Sequence, residues 1–274
     1  MAFLKLIKMN KNRILVLICG QLRNFSKKNY KNLIKNFKNY ELDFFIVCWE
    51  KHNIEVIKLF NSIYKPIALK EIRIKNFSLE AKNIKVPDTA VNTENTFHMW
   101  HAFSEACKEI KNFIFQKKFD YVLRYRSDIL PDENQIFKFK SIRKKEILIP
   151  DRYHWNGIND QFFIFNFSDL SYFASINDYI NRYKEKKSLF SSELIFQRFL
   201  KEKKFKISFI DYNYKIMRNS LIKSRKLENS KRIKIPLIDK ITVKFNKLKF
   251  RIRNFKNFYI NKTNRNNQQN IIIK

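Results

Sequence analysis

The sequence predicts an α/β protein: a mostly parallel sheet flanked by helices, with a basic C-terminal extension. Two observations carry that reading. Short β-branched or aromatic runs alternate with segments of helical spacing, the order that builds parallel crossovers. The chain has 274 residues, 45% of them hydrophobic, enough to bury a sizeable core without disulfides or metals.

The core strands are residues 14–19, 44–49 and 121–125, apolar runs bounded by polar or charged residues. Between the first two, Tyr30, Leu33, Ile34 and Phe37 repeat at helical spacing behind Ser26, which is placed to cap. Val56, Ile57, Phe60, Ile63 and Tyr64 predict a second helix ended by Pro66, and a weaker strand follows over 68–74. A long helix after Thr93 keeps Phe97, Trp100, Phe103, Cys107, Ile110 and Ile114 on one face. In the second half, 146–149 and 161–166 read as strands around the loop PDRYHWNGIND. Residues 168–183 and 192–200 read as helices, and 206–210 as a last strand.

Composition removes several function classes. The only glycines are Gly20 and Gly157, so the Gly-rich phosphate loops, which need several close together, are absent. Cys19, Cys48 and Cys107 have no paired spacing for zinc, and their odd number fits reduced thiols in a cytoplasm. The run RILVLICG lacks a signal-peptide cleavage site. It is also far short of the roughly 18 apolar residues needed to cross a bilayer, and no other stretch qualifies.

With 57 Lys and Arg against 25 Asp and Glu, the net charge is +32. Residues 201–274 hold 22 of the basic and 4 of the acidic residues, hence +18. We place a domain boundary after Arg218. Beyond it Ile238, Ile241, Phe245, Leu248, Ile252, Phe255 and Tyr259 recur at spacings of three and four between lysines and arginines. Such a stripe suits an amphipathic helix on an anionic inner leaflet. It suits equally a helix docked on the domain itself, and Leu248, Phe250 and Ile252 alternate as an edge strand would.

The most informative segment is FDYVLRYRSDI, residues 119–129. Strand alternation puts Val122, Arg124, Arg126 and Asp128 on one face. Charges at the carboxyl end of an inner strand are rarely buried unless paired or coordinating something. Ligands of open parallel sheets bind just beyond those strand ends. A carboxylate there can hold a divalent metal on a diphosphate, while Arg supplies forked donors for phosphate. An internal Arg–Asp ion pair is the alternative.

Taken with LICGQLRNF after the first strand, FIVCW, YVLRYRSDI, NDQFFIFN and SSELIFQRFL in that order, the segment resembles bacterial glycosyltransferases of the nucleotide-diphospho-sugar superfamily. The nearest in pattern are the WavE-like group from lipopolysaccharide and capsule loci. The resemblance covers about residues 13–218. It implies a GT-A fold with a Rossmann-like sheet, a nucleotide-sugar donor, a glycan or lipid-linked acceptor, and an acidic motif holding Mn²⁺ or Mg²⁺ on the diphosphate. The motif's last acid falls on Asp128; Arg126 stands where the first would be, which leaves metal dependence open.

The resemblance also implies donor contacts at Gly20, Gln21 and Arg23, in the turn after the first strand, where a single Gly equally suits an ordinary turn. Arg218 is a further candidate for the diphosphate. Asp160 or Glu193 would be the general base that takes the acceptor proton in an inverting transfer. Asp160 suits a turn or cap as well, and Glu193 complements a helix N-terminus whatever the function. Asp151 and His154 share the loop and could add a metal ligand, though a lone loop His is more often a polar surface residue. The expected place of action is cytoplasmic, peripheral on the inner membrane.

Two other classes compete. A basic chain with 12 Tyr and 28 Phe could bind nucleic acid through phosphate attraction and stacking, although its aromatics occupy core-like positions and no recognition motif appears. A non-catalytic peripheral membrane protein would not need inward-facing Arg124, Arg126 and Asp128.

Overall fold

The chain enters its sheet at β1 (Arg13–Gly20), an apolar strand buried along most of its length. In the computed structural model, which describes residues 11–50, 53–82, 84, 93–154, 157–183 and 190–217, two crossovers follow. They run through α1 (Lys27–Asn36) to β2 (Glu41–Trp49) and through α2 (Ile54–Tyr64) to β3 (Ala68–Ile72). Then α3 (Ser78–Lys82) and the long α4 (Thr93–Asn112) return the chain to β4 (Tyr121–Tyr125). The second half comprises β5 (Ile129–Pro131), β6 (Glu146–Pro150), β7 (Phe162–Asn166), α5 (Leu170–Ala174), α6 (Ile176–Tyr183), α7 (Ser192–Glu202), β8 (Lys206–Ile210) and β9 (Tyr214–Ile216).

Seven strands form one sheet in the order β3-β2-β1-β4-β7-β6-β8. All neighbours are parallel except β7, which runs antiparallel to both β4 and β6. The fold is therefore α/β with a mostly parallel, Rossmann-like sheet. Strand order reverses between β1 and β4, the switch point beyond whose carboxyl ends sheets of this kind take ligands.

Side chains alternate across this sheet. One face carries Ile14, Val16, Ile18, Phe44, Ile46, Leu123 and Tyr125 against Leu33 and Phe37 of α1 and Phe60 and Tyr64 of α2. On the other, Phe163 and Phe165 pack with Phe103 of α4, Phe173 of α5 and Phe196 of α7.

Ser26 caps α1 as its position predicts, accepting from the Asn29 N–H. The same helix solves a second problem. Asn29, Asn32 and Asn36 lie on one face, spaced three and four apart, and donate to the carbonyls of Ile129 (2.8 Å), Pro131 (2.8 Å) and Asp132 (2.9 Å). Strand β5 pairs on its other side with β9, so the asparagines satisfy an edge that burial would otherwise orphan.

Several boundaries differ from expectation. Helix α4 ends at Asn112, and Ile114, assigned to its apolar face, is exposed. The helix expected over 168–183 is broken at Ser175, whose N–H bonds back to the Tyr172 carbonyl. The β5–β9 ribbon went unread, because three-residue strands carry no usable periodicity. The extension beyond Arg218, and Arg218 itself, lie outside the described residues.

Candidate active site

The turn after β1 depends on its glycine. Gly20 has φ +92°, a region that side chains bearing a Cβ rarely adopt, and it brings the chain round over Ala102 of α4. The turn is pinned to the loop after β4 by Ser127, whose hydroxyl accepts the Arg23 N–H at 3.1 Å and lies 3.1 Å from the Arg23 carbonyl. Gln21 is exposed, and its Oε1 accepts from the Arg23 guanidinium at 3.3 Å.

Beyond β4 the expected face is rearranged. The strand ends at Tyr125 and a turn follows, closed by the Ile129 N–H on the Arg126 carbonyl. Alternation therefore does not extend to Asp128, and the three charges do not share a face. Arg124 faces α4: its guanidinium sits 4.9 Å from the Trp100 ring centroid, 4.8 Å from Phe103 and 5.5 Å from Phe163. It is buried and donates to the Asp160 carbonyl at 2.6 Å. Cation–π attraction and that bond offset the desolvation. Arg124 is thus no donor-binding residue; it fixes the loop that carries Asp160.

Arg126 and Asp128 face each other across the turn. The guanidinium forks the carboxylate, Nε to Oδ1 at 3.0 Å and Nη2 to Oδ2 at 2.6 Å, and Arg23 lies 3.4 Å from Oδ2. The Asp128 side chain is 3% exposed, against 24% for Arg126 and 48% for Arg23. These donors do not fit the Mn²⁺ or Mg²⁺ expected at Asp128. Its oxygens are engaged by guanidiniums, and among the described residues no three His, Cys, Asp or Glu side chains gather to hold an ion. His154 is held within its own loop. Its Nδ1 accepts the Asn159 N–H at 3.1 Å, its Nε2 stands 3.5 Å from Asp151, and burial lowers its pKa.

The two candidate bases meet. Helix α7 is capped by Ser191, and the next residue, Ser192, donates its hydroxyl to Asp160 Oδ2. Gly157 lies against the backbone at Glu193, and the Ile158 N–H reaches the Glu193 carbonyl at 3.3 Å. Asp160 is buried and Glu193 half-buried. Burial, and then the charge of Asp160, push the Glu193 carboxyl up to about 7.

Some contributors escaped sequence reasoning. Tyr214 on β9 accepts from Asn159 at 2.7 Å and donates to Gln161 at 3.3 Å, bracketing Asp160. Ser127 and Ser192 are ordinary serines without their partners 104 and 32 residues away; no local signal marks them.

No protein-family model and no curated protein matches this chain. The resemblance to nucleotide-sugar transferases rests on the sequence motifs alone.

Proposed function

We propose that this protein is a glycosyltransferase, moving a sugar from a nucleotide-sugar donor to a surface-polysaccharide acceptor, of lipopolysaccharide or capsule type, at the inner membrane face. The observation that supports it most is the meeting of Asp160 and Glu193 beside the Arg126–Asp128 pair, at the carboxyl ends of β1 and β4. Guanidiniums would receive the diphosphate and one carboxylate the proton, the two demands of displacement at a sugar's anomeric carbon.

Glu193 is the better base. Asp160 spends one oxygen on Ser192, whereas Glu193, with its carboxyl near 7, is poised to take a proton at neutral pH. The acceptor oxygen bonds to the anomeric carbon and its proton passes to Glu193. The bond from that carbon to the diphosphate oxygen breaks, and the nucleoside diphosphate departs with the electron pair. Arg126 and Arg23 face its developing charge.

Attachment to the anionic leaflet through residues 219–274 belongs to the same proposal, supported by the +32 charge. No helix among the described residues is long and apolar enough to cross a membrane. Nucleic-acid binding gains nothing, since Phe209 is the one exposed aromatic ring among the described residues.

The test is incubation of the full chain with UDP-, GDP- and ADP-linked sugars, with a CMP-linked sugar as the monophosphate control, and a lipid-linked glycan acceptor, followed by mass spectrometry. Transfer abolished by Glu193→Gln supports the reading. Transfer from none of the donors sinks it.

A further inference from the structure

We infer that the donor diphosphate is held by a guanidinium clamp, Arg126 with Arg23, without a protein-bound divalent cation. The inference rests on the glycosyltransferase reading and concerns how the same site recognises its ligand. Its basis is the layering of charge at the crevice. From solvent a ligand meets Arg23, 48% exposed, then Arg126, 24% exposed; the Asp128 carboxylate lies behind them, 3% exposed. A cation seeking that carboxylate would have to displace two guanidiniums, one of them forked at 3.0 and 2.6 Å. A diphosphate has only to approach them.

Asp128 then acts as a positioning residue. Its two bonds hold the Arg126 plane in one orientation, so the fork loses little freedom when phosphate arrives. Ser127 fixes the other half, tying the Arg23 backbone to the same loop at 3.1 Å. Arg23 and Arg126 outnumber the one carboxylate they contact, Asp128, while the charge of Asp160 also reaches Arg126.

The experiment is calorimetric titration of the full chain with UDP, GDP, ADP and inorganic pyrophosphate, in EDTA and in Mn²⁺. The clamp requires binding in EDTA, with Mn²⁺ improving affinity less than about threefold. Arg126→Ala should weaken binding tenfold or more and Arg126→Lys by less, since Lys keeps the charge and loses the fork. Arg23→Gln, a change at an exposed side chain, provides a variant whose folding is not at risk and should weaken binding about threefold to tenfold. Asp128→Asn should still bind in EDTA, within about tenfold of the parent. Binding that appears only with Mn²⁺, or that Asp128→Asn abolishes, overturns the clamp and leaves sugar transfer standing. Absence of binding by every probe in both buffers overturns both.

Discussion

Gly157 touches the backbone of Glu193 so closely that a Cβ added to it would stand 2.3 Å from the Glu193 carbonyl carbon and 2.5 Å from the Leu194 nitrogen. Backbone cannot rotate out of the way as a side chain can. The loop carrying Asp160 and the first turn of α7 are therefore apposed at the one residue type that permits it. Gly157→Ala should cost about 3 kcal/mol of stability, measured by denaturant unfolding, and should separate Asp160 from Glu193. A variant as stable as the parent would mean that the contact is looser than described.

Glu193 should make stability depend on pH. Its carboxyl is raised to about 7 in the folded chain, whereas an unfolded glutamate titrates near about 4.3. Between those values the folded state binds more protons than the unfolded one, so stability falls as pH rises through that window. The loss is at most about 4 kcal/mol and is complete above the folded value. Glu193→Gln should flatten that part of the stability profile. If Glu193 is the base, transfer by the parent should instead rise with pH through about 7. A parent profile flat from pH 5 to 8 would contradict the assigned titration.

Arg124 should be costly to truncate. Arg124→Ala empties a box formed by Trp100, Phe103 and Phe163 and leaves the Asp160 carbonyl without its 2.6 Å donor. The cavity and the orphaned acceptor together should cost about 3–5 kcal/mol. Arg124→Met refills the space but not the bond, and should recover roughly half. Equal losses for the two variants would show that packing contributes little, and would assign the whole effect to the hydrogen bond.

The asparagine ladder of α1 should be sensitive to single changes. Asn29→Ala, Asn32→Ala and Asn36→Ala each strip a donor from a carbonyl of the Ile129–Asp132 segment, at about 1–3 kcal/mol apiece. Asn→Asp at the same positions places an acceptor against an acceptor and should cost more. Hydrogen exchange at the Asp132 and Met217 amides, which bond to the Asn213 and Asp128 carbonyls across the ribbon, would report the accompanying loosening of β5 against β9.

Much of the frame was readable in the chain. Strands β1, β2 and β4 and the start of α1 follow from apolar runs and one capping serine, because burial on both faces demands continuous apolar residues and a helix end needs an acceptor. The site was readable as a set of residues, and less so as an arrangement. Arg124, Arg126 and Asp128 were placed on one face by extending the strand period through residue 128. The strand stops at Tyr125, and the following turn gives each charge a different surrounding.

The sequence by itself determined the α/β class and most of the strands and helices that build it, since hydrophobic period and short-range capping are local properties; the order of the strands in the sheet came only from the assembled fold. Tertiary structure alone decided that Arg124 lies under Asp160 within aromatic rings, that Asp128 stands behind Arg126, and that Gly157 brings α7 against the loop. Arg124 and Asp160 stand 36 residues apart, as do Gly157 and Glu193, and their desolvation and pairing energies exist only once the sheet has assembled.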